Sequence, residues 1–89
     1  MSTKHTTEME AIADLVPAGA RVLDLGCGDG ALLAHLQQAK GCTGYGVEID
    51  DANVLACSQR GINVLQLNLE EGLALFEVEL QHIDAALAA

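Results

Sequence analysis

Short apolar runs alternate with helical patterns along the central part of the chain. Apolar side chains are nearly continuous in Arg21–Leu25 and recur in residues 44–49 and 63–67. Runs of this kind are typical of strands that are covered on both faces of a parallel sheet. Residues 31–39 and 51–58 lie between them and have the apolar spacing of helices. The pattern predicts a β-α-β-α-β unit whose right-handed crossovers give the sheet order 3-2-1.

The two ends of the chain have helical patterns only. Thr7 and Glu10 form a capping-box pattern, which predicts a helix over residues 8–16 after a polar segment of residues 1–7. After Asn68 no stretch has the alternation of a strand, and apolar residues instead recur at spacings of four and three, which indicates a helical seam. The seam positions are Leu69, Leu73, Phe76, Leu80, Ile83 and Leu87.

These elements predict an α/β fold in a single domain over residues 1–89. The expected architecture is a Rossmann-like half-domain with three parallel strands, flanking helices and a helical C-terminus, which forms one long helix or two helices broken near Glu77. The length of 89 residues allows one domain only.

A glycine turn follows the first strand and precedes the second helix. Gly26, Gly28 and Gly30 stand at the carboxyl end of a parallel strand and at the start of a helix, where open α/β sheets bind ligands. Glu48 ends the second strand, and an acid at this position can accept bonds from both hydroxyls of a ribose. Asn68 ends the third strand. Because all three positions lie at one edge of the sheet, they can surround one adenosine-like ligand.

The charges near the turn distinguish an anionic dinucleotide from a cationic methyl donor as the adenine cofactor. Gly26, Gly28 and Ala31 also satisfy the dinucleotide fingerprint. However, Asp24 and Asp29 lie beside the turn, and each would repel a pyrophosphate by about 1 kcal/mol per charge pair in water. The same carboxylates attract the sulfonium and ammonium groups of S-adenosylmethionine, so the electrostatics favour the methyl donor.

Composition excludes several other classes. A net charge of −9 argues against nucleic-acid or anionic-membrane partners, which require basic surfaces. The three cysteines include no Cys-x-x-Cys pair, so neither a disulfide framework nor a metal site is expected. Free thiols indicate a cytoplasmic location. No apolar run reaches the roughly 18 residues of a membrane span.

The segments VLDLGCGDG and GYGVEID resemble class I S-adenosylmethionine-dependent methyltransferases. The longer runs RVLDLGCGDGALLAHLQ, TGYGVEIDDANVLAC and NVLQLNLEEGLALFE resemble the MetW family of methionine-biosynthesis proteins, over about residues 16–77. The resemblance implies a function in methionine biosynthesis, with S-adenosylmethionine as cofactor and a homoserine acyltransferase as a possible partner.

The resemblance also implies residue roles. The backbone of the three glycines is expected to run beside the methionine part of the donor. Asp24 is expected to hold the ammonium of that part, and Glu48 to bind the ribose hydroxyls. Ile49 packs on the adenine, and Asn68 replaces the family's usual aspartate, whose charge it lacks. The cofactor-binding residues are then Asp24, Gly26, Cys27, Gly28, Gly30, Glu48, Ile49 and Asn68.

The family continues past Glu77 into a fourth strand beside the first and then into the rest of a seven-stranded sheet. The present ending, VELQHIDAALAA, does not resemble that region, and the missing half carries the acceptor site and most catalytic residues in methyltransferases. We therefore expect a donor-binding half-domain, truncated or with a different ending, with little or no methyl transfer and no assignable catalytic residue.

Without a fourth strand, Arg21–Leu25 becomes an edge of the sheet, and an apolar edge invites pairing or cover. The expected cover is the helical seam over residues 69–87, in the same chain or across a homodimer. Two other interpretations remain open: a non-catalytic interaction or regulatory fragment, and a binder of an NAD-type dinucleotide.

Overall fold

A computed structural model describes residues 3–68 and 82–88. The described part is an α/β fold with three helices and four strands, as predicted in class. The elements are α1 Thr3–Leu15, β1 Arg21–Leu25, α2 Ala31–Lys40, β2 Thr43–Glu48, α3 Asp51–Gln59, β3 Val64–Gln66 and β4 Ala85–Ala88.

The four strands form one parallel sheet in the order β3-β2-β1-β4. Leu23 of β1 lies opposite Tyr45 of β2, and Val47 of β2 lies opposite Leu65 of β3. The first three strands therefore have the predicted order 3-2-1. The carboxyl ends of all four strands meet at one edge of the sheet.

The strand β4 corrects the prediction of a helical C-terminus without a strand. It pairs with β1 from Val22 opposite Ala85 to Leu25 opposite Ala88. The prediction failed because alanine is a poor indicator of strands, so AALA has no local strand signal. Its conformation comes instead from pairing with a buried apolar strand.

Because β4 covers β1, the prediction that Arg21–Leu25 is an edge of the sheet is wrong, and a homodimer through that edge loses its basis. Leu87, the last position of the predicted helical seam, lies in a strand. The seam positions from Leu69 to Leu80 lie outside the described residues.

Polar contacts at the start of β4 set its register on β1. The backbone N–H of Arg21 donates to Asp84 Oδ2 at 2.8 Å, and the Arg21 Nε approaches the same oxygen at 3.4 Å. The backbone N–H of Asp84 donates to the Arg21 carbonyl at 2.8 Å. These bonds also lower the pKa of Asp84, the largest contribution coming from the Arg21 backbone N–H.

The helix boundaries agree with the sequence patterns except at the N-terminus. The first helix begins at Thr3, so the capping-box pattern at Thr7 does not mark its start. The second helix ends as predicted at Gly41, whose left-handed backbone allows its N–H to bond the carbonyl of Gln37.

The central strand β1 is buried on both faces, as its continuous apolar run predicts, whereas Leu65 of β3 is exposed. Val22 packs on one face with Leu33 and Leu36 of α2. Leu23 and Val47 form a second cluster on the other face. Within residues 3–68 and 82–88, no helix is long and apolar enough to cross a membrane.

Candidate site at the glycine turn

The turn after β1 has a backbone that favours glycine. The φ angles of Gly26, Gly28 and Gly30 are 73°, 59° and 84°, in the left-handed region that other residues rarely adopt. A Cβ on Gly30 would also lie 3.0 Å from Cys57 Sγ and 3.3 Å from Ile62 Cγ1. The third glycine is therefore required both by its conformation and by the close packing of α3 beneath it.

Backbone carbonyls occupy part of the hydrogen-bonding capacity of the turn. The N–H groups of Gly26 and Cys27 both donate to the carbonyl of Val47, at 2.8 and 3.0 Å, and Gly30 donates to the Cys27 carbonyl at 3.2 Å. These bonds anchor the turn to the end of β2 and close it on itself.

Two carboxylates occupy further N–H groups of the turn. Gly28 N–H donates to Glu48 Oε1 at 2.9 Å, and Ala31 N–H donates to Asp29 Oδ1 at 3.0 Å. A phosphate-binding turn needs free N–H groups pointing at the anion. In this turn, negative side chains already occupy two of the positions that a phosphate would use.

Glu48 joins the glycine turn to the third helix. Its second oxygen, Oε2, accepts a bond from the Asp50 N–H at 3.1 Å, and Asp50 in turn caps α3 by accepting from the Asn53 N–H at 3.0 Å. Burial alone would raise the pKa of Glu48, but the bonds from the Asp50 and Gly28 N–H groups outweigh it and lower the pKa. Glu48 is therefore ionised at neutral pH.

Asp24 is a buried acid at the start of the site. It lies on β1 two residues before the turn and has only 5% of its surface exposed. Burial raises the pKa of Asp24 to about 6, and no hydrogen bond from the described part of the chain offsets this effect. A cation beside the carboxylate would restore the favourable interaction that burial removes.

Two cavities meet at the turn. The larger, of about 700 Å³, lies between α1, the turn and β4; its lining includes Ile12, Asp24, Gly28 and Ala86. The smaller, of about 150 Å³, lies at the ends of β2 and β3 and is lined by Gly26, Val47, Glu48, Ile49, Leu67 and Asn68. Gly26 lines both, so the two cavities are neighbours along the carboxyl edge of the sheet.

The structure brings seven of the eight predicted site residues to these cavities. Asp24, Gly26, Cys27 and Gly28 line the larger one, and Glu48, Ile49 and Asn68 line the smaller one with Gly26. Gly30 lines neither, because it is buried against α3 behind the turn. Among the described residues, no group of three or more potential metal ligands occurs.

Cys57 was not among the residues predicted for the site. Its thiol lies beneath the turn, where Sγ donates to the Gly28 carbonyl at 3.2 Å and lies 3.7 Å from Cys27 Sγ. Burial, followed by the hydrogen bond with Cys57, raises the pKa of Cys27 to about 12, so this thiol is protonated. No local pattern marks position 57, since its proximity to the turn results from the packing of α3.

Solved structures of the same fold are S-adenosylmethionine-dependent methyltransferases. A putative tRNA (m1A22) methyltransferase from Streptococcus pneumoniae aligns over 100% of this chain and 41% of its own length, with a TM-score of 0.71 and 24% identity. An RNA methyltransferase from Salinibacter ruber, in complex with S-adenosyl-L-homocysteine, aligns over 99% of this chain and 58% of its own, with a TM-score of 0.67 and 23% identity. These similarities establish the methyltransferase fold.

The sequence narrows this class to one family. The family described as "Methionine biosynthesis protein MetW" matches residues 6–87. The bifunctional methionine biosynthesis protein MetXA/MetW of Rhodopirellula baltica is 41% identical over 75 residues, which cover 75% of this chain and 12% of that protein. The chain belongs to the MetW family. The family match continues past Glu77 to residue 87. The expectation that the ending VELQHIDAALAA does not resemble the family is therefore wrong.

Proposed function

We propose that this chain binds S-adenosylmethionine at the glycine turn, as the donor-binding part of a MetW-type, methyltransferase-like protein of methionine biosynthesis. The observation that carries the proposal is the position of Asp24. A buried carboxylate lines the larger cavity beside the turn, and a cationic neighbour would offset the burial that raises its pKa.

The residues that line the two cavities have the chemistry that the two halves of the donor require. The larger one offers Asp24 to the ammonium of the methionine part, with Gly26 and Gly28 providing close backbone approach. The smaller one offers Glu48 to the ribose hydroxyls, Ile49 to the adenine face and Asn68 to the adenine amino group. The S. ruber RNA methyltransferase, which has the same fold, is in complex with S-adenosyl-L-homocysteine, and this supports a ligand of that type.

The hydrogen bonds of the turn argue against a dinucleotide. A pyrophosphate would have to displace the carboxylates of Glu48 and Asp29 from the N–H groups of Gly28 and Ala31. Those acids would then face the phosphates across a few ångströms, and Arg60 beside Asp29 would offset only part of the repulsion. The geometry therefore favours the methyl donor over an NAD-type ligand for the same reason as the charge pattern does.

Calorimetric titration with S-adenosylhomocysteine and, separately, with NAD tests the proposal. We expect the first to bind and the second to give no heat of binding. Binding of NAD alone would contradict the proposal. Binding of neither ligand would favour a non-catalytic interaction or regulatory fragment that has kept the fold and lost the ligand.

The proposal extends to activity. The chain spans 12% of the length of the R. baltica relative, and we expect little or no methyl transfer by the 89 residues alone. Mass spectrometry of S-adenosylmethionine incubated with the protein and a bacterial metabolite extract measures this. Robust formation of S-adenosylhomocysteine would refute the expectation.

We also propose a homoserine acyltransferase as partner, acting with this protein in the cytoplasm, where its three free thiols stay reduced. The name of the bifunctional relative, which joins MetXA and MetW, supports the partnership. Co-elution of the two purified proteins from a sizing column is the expected result. Independent elution at micromolar concentration would count against a stable complex.

A further inference from the structure

Both backbone polar groups of Gly28, which belong to the two peptide units on either side of its α-carbon, have side-chain partners. Its N–H donates to Glu48 Oε1 at 2.9 Å. Its carbonyl accepts from Cys57 Sγ at 3.2 Å, and Cys27 Sγ lies 3.7 Å from the same oxygen. Glycine has the greatest backbone freedom of any residue, so the relative orientation of the two peptide units at Gly28 depends on such external bonds.

Both tethers come from one supersecondary unit. Glu48 ends β2, and Cys57 lies in α3, the helix that follows it. A third contact extends the attachment by one residue, because Arg60 Nη2 lies 3.4 Å from Asp29 Oδ2. Three side chains, from the end of β2, from α3 and from the residue directly after α3, therefore contact the middle of the turn.

Cys57 is the buried member of this group. Its exposed fraction is 0%, and its Sγ lies against the α-carbon side of Gly30, where a Cβ would be 3.0 Å away. A thiol in this position has no water to replace the Gly28 carbonyl as a partner. If the thiol were removed, the Gly28 carbonyl would keep only the longer contact with Cys27 Sγ at 3.7 Å among the thiols near it.

We propose that Cys57 is a positioning residue for the ligand site: its thiol, bonded to the Gly28 carbonyl opposite Glu48, holds the glycine turn in its binding shape. The effect on ligand affinity rests on the proposed function, but the effect on the free turn does not. Cys57 lines neither cavity, so its proposed effect on a ligand is indirect and passes through the residues of the turn that it contacts.

The test compares C57A with C57S in the ligand-free protein and in titrations with S-adenosylhomocysteine. Alanine removes the donor, whereas serine keeps a donor of similar size. Amide hydrogen exchange at Gly28 measures the turn directly, since that N–H bonds to Glu48. The matched control is C42A, because Cys42 is also buried, with 5% exposed, but its thiol faces the Pro17 carbonyl away from the turn.

We expect C57A to speed exchange at Gly28 and to weaken S-adenosylhomocysteine binding about three- to tenfold, the range for one lost hydrogen bond. C57S restores both values, and C42A changes neither. If C57A matches the wild type, or if C57S is as impaired as C57A, the thiol has no positioning role. If C57A does not fold, C57S alone decides the question. Fast amide exchange at Gly28 in folded C57S would then overturn the proposal.

If the wild-type protein binds no S-adenosylhomocysteine, the proposed function fails, while the exchange measurements still decide the role of Cys57 in the free turn.

Discussion

At the scale of single residues, the site depends on two acids with opposite environments. Bonds from backbone N–H groups keep Glu48 ionised, whereas burial raises the pKa of Asp24 to about 6. A buried group of this kind costs stability when it is charged, and perturbed acids in clefts are typical of binding sites. Under the proposed function, stability and ligand binding would oppose each other at Asp24.

Replacing Asp24 by asparagine tests this opposition at pH 7.5. We expect D24N to bind S-adenosylhomocysteine at least about tenfold more weakly, because a bond between charged groups contributes roughly 1.5–3 kcal/mol. The control is D14N, which removes an equal charge from an exposed position on α1. Calorimetry measures both, and equal affinities of D24N and D14N would contradict the role of Asp24.

The raised pKa of Asp24 also predicts how pH acts on the protein. Because the folded pKa of about 6 lies above the ordinary value of 3.8, the folded state binds the proton more tightly. The resulting stability is complete below about pH 4 and is lost as the pH rises through 6. Ligand affinity changes in the opposite direction and falls as the pH drops through 6. Titrations from pH 5 to 8 should show this fall in the wild type and a flat profile in D24N.

At the scale of elements, the stability of the sheet depends on the close contact between β1 and β2 and on the attachment of β4 to β1. Gly44 of β2 has a φ of 128°, and a Cβ there would collide with the backbone carbonyl group of Val22 in β1. Only glycine allows these two central strands to pair at this point. The contact lies at the opposite end of β2 from Glu48, and it helps to hold in place the strand that carries Glu48.

Substitution of Gly44 by alanine should therefore destabilise the sheet. G19A is the matched control, since Gly19 also has a positive φ, of 74°, but open space around its α-carbon. We expect G19A to cost about 1–2 kcal/mol for the left-handed backbone and G44A to cost a further 1–3 kcal/mol for the clash. Urea unfolding measures both free energies, and equal losses would show that β1 and β2 separate freely at Gly44.

The attachment of β4 predicts a second effect at this scale. Asp84 has a lowered pKa, so its contribution to stability is present above the ordinary value of 3.8 and is lost as the pH falls through the lowered one. D84A should remove it at all pH values and increase amide exchange at Arg21, whose N–H bonds to the carboxylate. D51A is a control at the start of α3, away from β4. Unchanged protection of Arg21 in D84A would show that strand pairing alone holds β4.

At the scale of the whole molecule, the net charge of −9 limits the partners. Two of the proteins with the same fold are described as RNA or tRNA methyltransferases. Affinity for RNA depends mainly on basic side chains that neutralise phosphates. This chain has 4 lysines and arginines against 13 acids, so we do not expect the shared fold to carry a shared RNA surface.

We therefore expect no binding of tRNA at physiological salt. Electrophoretic mobility of labelled tRNA with micromolar protein should be unchanged, with and without S-adenosylhomocysteine. The same protein preparation must bind S-adenosylhomocysteine in calorimetry, which serves as the control for its integrity. A salt-sensitive shift of the tRNA would contradict the argument from net charge.

The sequence by itself determined the features that neighbouring residues encode. Continuous apolar runs predicted β1, β2 and β3 and their order, and glycines predicted the turn and the end of α2. Seven of the eight residues predicted for the site lie at cavities along one edge of the sheet, because parallel strands bring their carboxyl ends together. These features depend on local conformation and periodicity, which a single chain displays directly.

Only the tertiary structure decided which distant segments meet. The fourth strand forms because Ala85–Ala88 pairs with β1, held by a bond between Arg21 and Asp84, 63 residues apart in sequence. Packing of α3 likewise brings Cys57 beneath Gly28 and turns Gly30 away from the ligand cavities. These segments have weak signals of their own, so their positions follow from the surfaces and polar groups that the rest of the fold presents to them.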